Sequence, residues 1–224
     1  MRSLRICAIV MVLGIALAAG GCGKEYAYDF AAEMDLGEGS EAWVKVPPGA
    51  SFAFNMFYGI RLDDGINPAS IRTPIYFTGD FKVTVDFHLE LDSSHIGDLA
   101  FMLTDDTWPA DFNHAFYMPI YSISSSKEEL HVADWRKTPY AYSELKDDGL
   151  PLVTLDTSGD NQLVLTKKGN QITVVFNNSA SDTYGPYTLT NYTADKFYLT
   201  FSGDPEFSPG GGYGIYITRV KVKY

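Results

Sequence analysis

Cysteine is scarce in this 224-residue sequence, which contains two, Cys7 and Cys22. Both lie near the N-terminus, so the chain after residue 22 has neither a disulfide nor a thiol nucleophile. The sequence also lacks the Gly-x-Ser-x-Gly pattern of serine hydrolases. Its glycine triplet at 210–212 precedes a strand-like stretch rather than a helix, which argues against a phosphate-binding loop. We therefore expect no nucleophilic catalysis.

Basic residues are few as well, with 17 Lys and Arg against 28 Asp and Glu and a formal charge of -11. An acidic surface repels phosphate backbones, and the sequence contains no basic stripe, so we predict no nucleic-acid partner. Internal repeats are also absent from the sequence, which disfavours solenoids and propellers.

The N-terminal 21 residues have the parts of a secretory signal peptide. Arg2 and Arg5 precede the apolar run Ile6 to Ala19, and the small residues Gly20 and Gly21 follow it. The run is shorter than the roughly 20 apolar residues that a membrane-spanning helix needs. The sequence therefore predicts export rather than a transmembrane anchor.

The end of this segment, Ala19-Gly20-Gly21-Cys22, resembles the lipobox of bacterial lipoproteins. The resemblance implies a signal peptide at 1–21, a diacylated Cys22 as the first mature residue, and a short membrane tether over 22–25. Gly23 stands where an Asp would resemble an inner-membrane retention signal, which implies the outer membrane in a bacterium with two membranes. The alternative is an ordinary secretion signal that contains a Cys.

Aromatic residues are abundant, with 15 Tyr and 14 Phe, and together with 20 Gly and 11 Pro they favour short strands joined by turns. The longest alternation of apolar and polar residues lies in Phe77 to Asp92, which predicts a half-buried antiparallel strand. Strand-like stretches recur at the 8–12-residue spacing typical of a sandwich or barrel. We predict an all-β fold, with one antiparallel β-sandwich domain over 26–224.

Three further stretches give local predictions. Alternation from Ser51 to Leu62 predicts one continuous strand. A capping box, Ser126-x-x-Glu129, predicts a short helix over 127–136 inside an insertion at 125–149. The terminal stretch 213–224 predicts a strand with Tyr216, Thr218, Val220, Val222 and Tyr224 on one face.

Four motifs in this pattern resemble the concanavalin A-like lectin/glucanase superfamily, which includes laminin-G-like domains. They are Thr78-Gly79-Asp80-Phe81 before the long strand, Gly97-Asp98-Leu99-Ala100-Phe101, Lys168-Gly169-Asn170-Gln171-Ile172-Thr173-Val174, and the final strand, Tyr213 to Tyr224. The resemblance implies two curved antiparallel sheets in a jelly-roll order, with ligands bound on the concave face or its rim loops. Other sandwiches, such as a double jelly roll or an immunoglobulin-like pair, are the alternatives.

The polar face of the long strand is the first candidate site. Asp86, His88 and Glu90 are two residues apart, so they point to the same side of the sheet. Family-sixteen glycoside hydrolases, which the superfamily includes, carry Glu-x-Asp-x-(x)-Glu on such a strand. Here Glu90-Leu91-Asp92 begins the motif, but Ser94 or His95 replaces the second Glu. Because one carboxylate is missing, the pattern favours binding without catalysis, or simply a solvated strand face.

Aromatic and amide side chains in the loops are the second candidate. Trp108, Asn113 and His114 lie in one polar loop, and Tyr213 follows the triple glycine. Such residues can stack on and hydrogen-bond to a sugar ring. The alternative is that the large rings belong to the core.

A metal site is poorly supported. His88-x-Glu90 with a distant His114 or His131 fits a two-His-one-carboxylate pattern only superficially. Asp156-x-Ser158-x-Asp160 begins like a calcium loop, but Asn161 replaces its Gly and Lys167 its closing Glu. We assign no metal ligand. Calcium stays open because the resemblance implies it for some relatives and because acidic pairs occur at 63–64, 105–106 and 147–148.

These observations lead to a functional hypothesis. The sequence predicts a lipid-anchored, non-catalytic lectin-like sandwich that binds carbohydrate or another extracellular polymer through Asp86, His88, Glu90, Trp108, Asn113, His114 and Tyr213. One alternative is a structural or assembly lipoprotein with a protein partner. The other is a glycoside hydrolase or lyase, which would need two carboxylates facing each other across a cleft.

Overall fold

A computed structural model of the chain describes residues 23–62, 69–90, 98–104, 116–124, 127–130, 133–134, 153–154, 159–178, 183–189, 196–204 and 214–224. In this part of the chain no helix has the length and apolar character needed to cross a membrane. Cys22 and the predicted signal peptide lie outside the described residues, so the lipid anchor stays a prediction.

The described residues form strands almost throughout. In chain order the elements are β1 (Glu25–Asp29), α1 (Phe30–Glu33), a 3-10 turn (Gly39–Glu41), β2 (Val44–Val46), β3 (Ala53–Asn55), β4 (Gly59–Arg61), β5 (Ala69–Arg72), β6 (Phe77–Thr78), β7 (Phe81–Glu90), β8 (Asp98–Thr104), β9 (Phe116–Ser124), β10 (Lys127–Leu130), β11 (Ala133–Asp134), β12 (Val153–Thr154), β13 (Asp160–Lys168), β14 (Gln171–Asn177), β15 (Thr183–Leu189), β16 (Lys196–Asp204) and β17 (Gly214–Lys223).

These strands build two antiparallel sheets. In the first sheet the order is β15-β14-β13-β7-β17-β4-β3, and β1 pairs with β17 beside β4. In the second sheet the order is β12-β10-β9-β8-β16-β5-β2, with β11 beside β9 and β6 beside β16. The predicted all-β, two-sheet antiparallel sandwich is confirmed.

The core lies between the two sheets, and the alternation of β7 explains why. Its inward residues, Phe81, Val83, Val85, Phe87 and Leu89, are at most 4% exposed. The ring of Phe87 lies 5.2 Å from that of Phe101 in the second sheet, and Phe101 in turn contacts Phe201. Each fully buried large apolar side chain contributes about 1.5–3 kcal/mol relative to exposure. The other face of β7 is thereby turned toward the outside of the first sheet.

The predicted strand over 51–62 is wrong in one respect, because a turn at 56–58 divides it into β3 and β4. The side chain of Asn55 accepts hydrogen bonds from the backbone N–H groups of Phe57 and Tyr58, which stabilises this turn. Gly59 then adopts φ +96°, in the region that glycine favours. Apolar alternation continues through the turn, so periodicity alone did not reveal it.

Two other local predictions also differ from the structure. An irregularity in the pairing of β17 falls between Ile217 and Arg219, so Ile217 and Val220 both face the core while Tyr216 lies opposite His88. This bulge explains why the predicted single face of the terminal strand is wrong. The capping box at Ser126 is followed by strands, because 127–130 and 133–134 pair with β9 instead of forming a helix.

Candidate functional site

A row of polar side chains crosses the outer face of the first sheet. The register places Asp86 of β7 opposite Gln162 of β13, which lies opposite Asn177 of β14, which lies opposite Thr183 of β15. The amide of Gln162 donates to Asp86 Oδ1 at 2.8 Å, the amide of Asn177 donates to Gln162 Oε1 at 3.2 Å, and Thr183 Oγ1 donates to Asn177 Oδ1 at 3.0 Å. We call these four residues the polar row. Because each contact orients the next side chain, the row is ordered before any ligand binds.

Arg219 of β17 extends this surface on the other side of Asp86, to which it lies opposite in the sheet. Its guanidinium donates two hydrogen bonds to Asp29 Oδ2, at 2.9 and 2.7 Å. Burial raises the pKa of Asp29, but hydrogen bonds from Arg219 and from the backbone N–H of Ala32 outweigh it and lower the pKa overall. The Arg219 side chain is 57% exposed and can still meet a ligand.

His88 lies next along the outer face, but it is only 8% exposed. The ring of Tyr58 covers it in a parallel stack, with 3.8 Å between centroids. Nδ1 of His88 lies 2.7 Å from Oδ1 of Asp160, whose side chain is 88% exposed. His88 therefore holds Tyr58 and Asp160 in place rather than meeting solvent itself.

The turn at 56–58 forms a rim beside this surface. Phe57 at its tip is 73% exposed, which is unusual for a large apolar ring. The bulge in β17 fixes the turn, since Thr218 Oγ1 donates to the carbonyl oxygen of Tyr58 at 2.9 Å. Gly59 is needed here because a Cβ at this position would overlap the carbonyl of Ile217. The exposed ring is thus carried by a tightly fixed backbone.

A cleft of about 460 Å³ lies between the rim and the polar row. Its lining includes Phe57, Asp86, Asp160, Gln162, Asn177 and Arg219. The volume is within the range of small-molecule sites, and the lining combines the exposed apolar ring of Phe57 with carboxylates, amides and a guanidinium. Such a surface can accept and donate hydrogen bonds and stack against a flat apolar face at the same time.

The structure brings two of the predicted site residues to this place and leaves the others undescribed. Asp86 lines the cleft, and His88 supports it from below. Glu90 ends β7, but its side chain lies outside the described part. Four loop residues predicted from the sequence also lie outside the described residues: Trp108, Asn113, His114 and Tyr213.

Sequence reasoning missed several contributors to the cleft, among them Phe57, Gln162, Asn177 and Arg219. Gln162, Asn177 and Arg219 come from strands distant in the sequence, and only the pairing between those strands places them beside Asp86. Phe57 falls out of phase with the apolar positions of the 51–62 alternation, and this signal could have marked it as an outward residue.

Metal ligation finds no support in the part of the chain that the structure describes. Across those ranges, no group of three or more His, Cys, Asp or Glu side chains could hold a metal ion. The acidic pairs at 63–64, 105–106 and 147–148 fall outside the described residues.

Comparison with known proteins gave matches among solved structures only. No protein-family model matches the chain, and no curated protein matches it. The VIP36 exoplasmic/lumenal domain with bound Ca²⁺ and Man3GlcNAc superimposes with TM-score 0.57 at 16% identity, covering 88% of this chain and 86% of that one. The Emp47p carbohydrate recognition domain gives 0.63 at 11%, covering 88% and 94%, and the Crh5 transglycosylase gives 0.59 at 12%, covering 90% and 85%.

The fold is the concanavalin A-like jelly roll. The resemblance drawn from the sequence motifs is therefore confirmed at the level of fold. At these identities the likeness does not carry an activity or a ligand to this chain. VIP36 was solved both in Ca²⁺-bound and in metal-free form, so that domain adopts its fold with and without the ion.

Proposed function

We propose that this protein is a lipid-anchored, non-catalytic domain that binds carbohydrate in the cleft of the first sheet. The observation that carries the proposal is the polar row lying beside an exposed ring, Phe57, in one cleft. Sugars present hydroxyl groups around their edge and C–H groups on their faces. The cleft offers both kinds of partner.

The hydrogen-bonding capacity of the row suits hydroxyl groups in particular. A hydroxyl donates one hydrogen bond and accepts others, and Asp86 and the amides of Gln162 and Asn177 supply acceptors and donors at fixed spacing. Because these side chains already hold one another, a ligand loses less free energy in ordering them. Solved neighbours support the class of ligand, since VIP36 was crystallised with Man2 and with Man3GlcNAc.

The site residues that were predicted from the sequence but lie outside the described part of the structure are proposed to extend the site. Glu90 lies opposite Gly214 in the pairing of β7 with β17, and Tyr213 directly precedes Gly214 in the chain. We propose that Glu90 and Tyr213 extend the site at this end. Trp108, Asn113 and His114 are proposed as further contacts.

The anchor in this proposal is a diacyl group on Cys22, which would hold the domain at the cell envelope, on the outer membrane if the source has two membranes. We assign no cofactor. Calcium is included as a condition of the binding assay, because the acidic pairs that suit it lie outside the described residues.

Binding to a broad glycan array tests the proposed site. Purified protein should bind a subset of glycans saturably, and Gln162→Ala and Phe57→Ala should each weaken that binding by about tenfold or more. Tyr76→Ala is the matched control, because Tyr76 is also an exposed aromatic residue, at 50%, but does not line the cleft. Each protein is assayed with calcium and with a chelator.

The outcomes separate the candidate functions. Glycan binding that survives both cleft substitutions would contradict the proposed site. No binding under either condition would favour a protein partner instead. Release of reducing sugar from a bound glycan would favour the third hypothesis, a glycoside hydrolase, as the Crh5 neighbour is itself a transglycosylase.

A further inference from the structure

Lysines gather at one end of the sandwich although the whole chain is acidic, with a formal charge of -11. The strand register places Lys82 opposite Lys223, while Lys221 lies opposite Thr84 on the same outer face of the first sheet. Lys24 directly precedes β1, and its carbonyl accepts a hydrogen bond from the backbone of Tyr224. We call Lys24, Lys82, Lys221 and Lys223 the basic end.

Neighbouring loops and strands add charge of the same sign at this end. Lys168 precedes the turn at Gly169, whose backbone N–H donates to Asp80, the residue just before β7. Lys196 begins β16 opposite Thr78, in the segment that leads into β7. The acidic residues placed here by these contacts are Asp80 and Glu25.

The lysines of the basic end are incompletely neutralised. Glu25 is shared between two of them, at 2.9 Å from Lys221 Nζ and 3.8 Å from Lys223 Nζ. Lys82, Lys221 and Lys223 line a depression of about 180 Å³ together with Thr84. Like charges directly opposite each other on adjacent strands are unfavourable, so Lys82 facing Lys223 would be relieved by an external anion.

The chain enters the sandwich at the same end. From Cys22 to Glu25, the first residue of β1, the chain advances three residues, which can span at most about 11 Å. Glu25 lies opposite Lys223. A lipid on Cys22 would therefore hold the basic end within roughly one Debye length of the bilayer surface.

We infer that the basic end is a docking surface for the anionic headgroups of the bilayer that holds the lipid anchor. The inference rests on the anchor proposed above. A single lipid anchor and a basic patch act together, since the patch adds electrostatic attraction once the anchor has brought it to the surface. The charge of this end is opposite to that of the protein as a whole, so docking selects one orientation.

The proposed sugar site lies away from the basic end along the strands of the first sheet. Asp86 lies four residues beyond Lys82 on β7, which is about 13 Å along the strand at roughly 3.3 Å per residue. His88 and the rim turn lie further still from the basic end. Docking through the lysines would therefore leave the cleft further from the bilayer than the basic end, although both lie on the outer face of the first sheet.

Lysine acetylation of the processed, lipid-carrying protein in nanodiscs tests the inference. One set of discs contains phosphatidylcholine alone, and the other contains about 30% phosphatidylglycerol. We expect Lys82, Lys221 and Lys223 to be acetylated on the order of fivefold more slowly in the anionic discs, and the protection to disappear at about 0.5 M salt. Lys45, an exposed lysine of the second sheet, is the internal control and should react equally in both.

A variant that lacks two of the lysines tests whether their charge causes the protection. Lys82→Gln combined with Lys223→Gln should abolish the protection of Lys221, whereas Lys45→Gln should leave it intact. Equal acetylation in the two kinds of disc, or protection that includes Lys45, would overturn the docking surface. An unmodified Cys22 in the mass spectrum would overturn the anchor on which it rests. Neither result bears on glycan binding by the cleft, which the array measures separately.

Discussion

At the scale of single residues, Asp29 links two structural features at the edge of the proposed site. It caps α1 by accepting the backbone N–H of Ala32 at 3.0 Å, and it pairs with Arg219. We predict that Asp29→Ala lowers the free energy of unfolding by about 1–2 kcal/mol, chiefly through loss of the cap. Asp29→Asn retains a capping side chain, so it should lower the free energy of unfolding by less than Asp29→Ala does. Urea unfolding at pH 7 measures both values.

The contribution of Asp29 to stability depends on pH because its pKa is lowered in the folded protein. Although burial raises the pKa of Asp29, the hydrogen bonds from Arg219 and Ala32 lower it overall. Its contribution is therefore present above the unfolded pKa, near 3.9, and is lost as the pH falls through the lower folded value. The stability difference between wild type and Asp29→Asn should shrink when urea unfolding is repeated near pH 3. A constant difference would show that the charge plays no part.

A second prediction for a single residue concerns the contribution of His88 to stability. It is buried beneath Tyr58, whereas its partner Asp160 is exposed. His88→Ala should lower the free energy of unfolding by about 1–3 kcal/mol, because it removes a buried ring and leaves Tyr58 without support. Asp160→Ala removes an exposed partner and should lower the free energy of unfolding by less than about 1 kcal/mol. Equal losses in urea unfolding would mean that the pair with Asp160, rather than the stack, matters.

At the scale of elements, the turn at 56–58 depends on Gly59. We predict that Gly59→Ala destabilises the protein by more than about 1 kcal/mol, because alanine disfavours φ +96° and its Cβ would overlap the carbonyl of Ile217. Glycan binding should fall with it, since Phe57 is carried by this turn. Gly79→Ala is the matched control. Gly79 also has a positive φ, +72°, but a Cβ there meets nothing within 4 Å.

Thermal unfolding followed by circular dichroism compares the two glycine variants. Both variants should be less stable than wild type, because alanine strains the backbone at a positive φ. Only Gly59→Ala should be destabilised further by steric overlap, and only this variant should bind glycan more weakly. If Gly79→Ala were the more destabilised variant, packing against Ile217 would not be what fixes the turn.

Elements with strict alternation were predicted well from the sequence, and those with local interruptions were not. The inward and outward faces of β7 agree with the prediction because burial alternates from Phe81 to Phe87, and only the outward His88 is covered, by Tyr58. The turn after Asn55 depends on hydrogen bonds from two local backbone N–H groups to the Asn55 side chain. The bulge at Thr218 contributes one hydrogen bond to the distant carbonyl oxygen of Tyr58. Neither interaction changes the apolar pattern of the sequence. These two interruptions build the rim of the cleft.

The sequence identified only part of the candidate site. Asp86 was identified because it lies on the longest alternating strand, but its neighbours come from β13, β14 and β17, which are distant in sequence. In the basic end, Lys24 and Lys82 are likewise distant in the sequence from Lys221 and Lys223, so local composition did not reveal the group. Register between strands, rather than local composition, brings both groups together.

At the scale of the whole molecule, aromatic rings connect the two sheets. Phe87 of β7 contacts Phe101 of β8, Phe101 contacts Phe201 of β16, and Phe201 stacks on Trp43. Trp43 in turn contacts Phe30, which directly follows β1. This continuous cluster includes residues from both sheets and from the segment nearest the proposed anchor. The described sandwich should therefore unfold as one cooperative unit.

Substitution of the central pair tests this cooperativity. Phe87→Ala and Phe101→Ala should each lower the free energy of unfolding by about 3–5 kcal/mol, because both rings are buried and leave cavities. The double variant should lose less than the sum, by about 0.5–1.5 kcal/mol, since the two rings contact each other. Urea unfolding followed by far-UV and near-UV circular dichroism should give coincident transitions in all four proteins. Two separate transitions, or strictly additive losses, would mean that each sheet has its own stabilising core and that the shared cluster does not couple them.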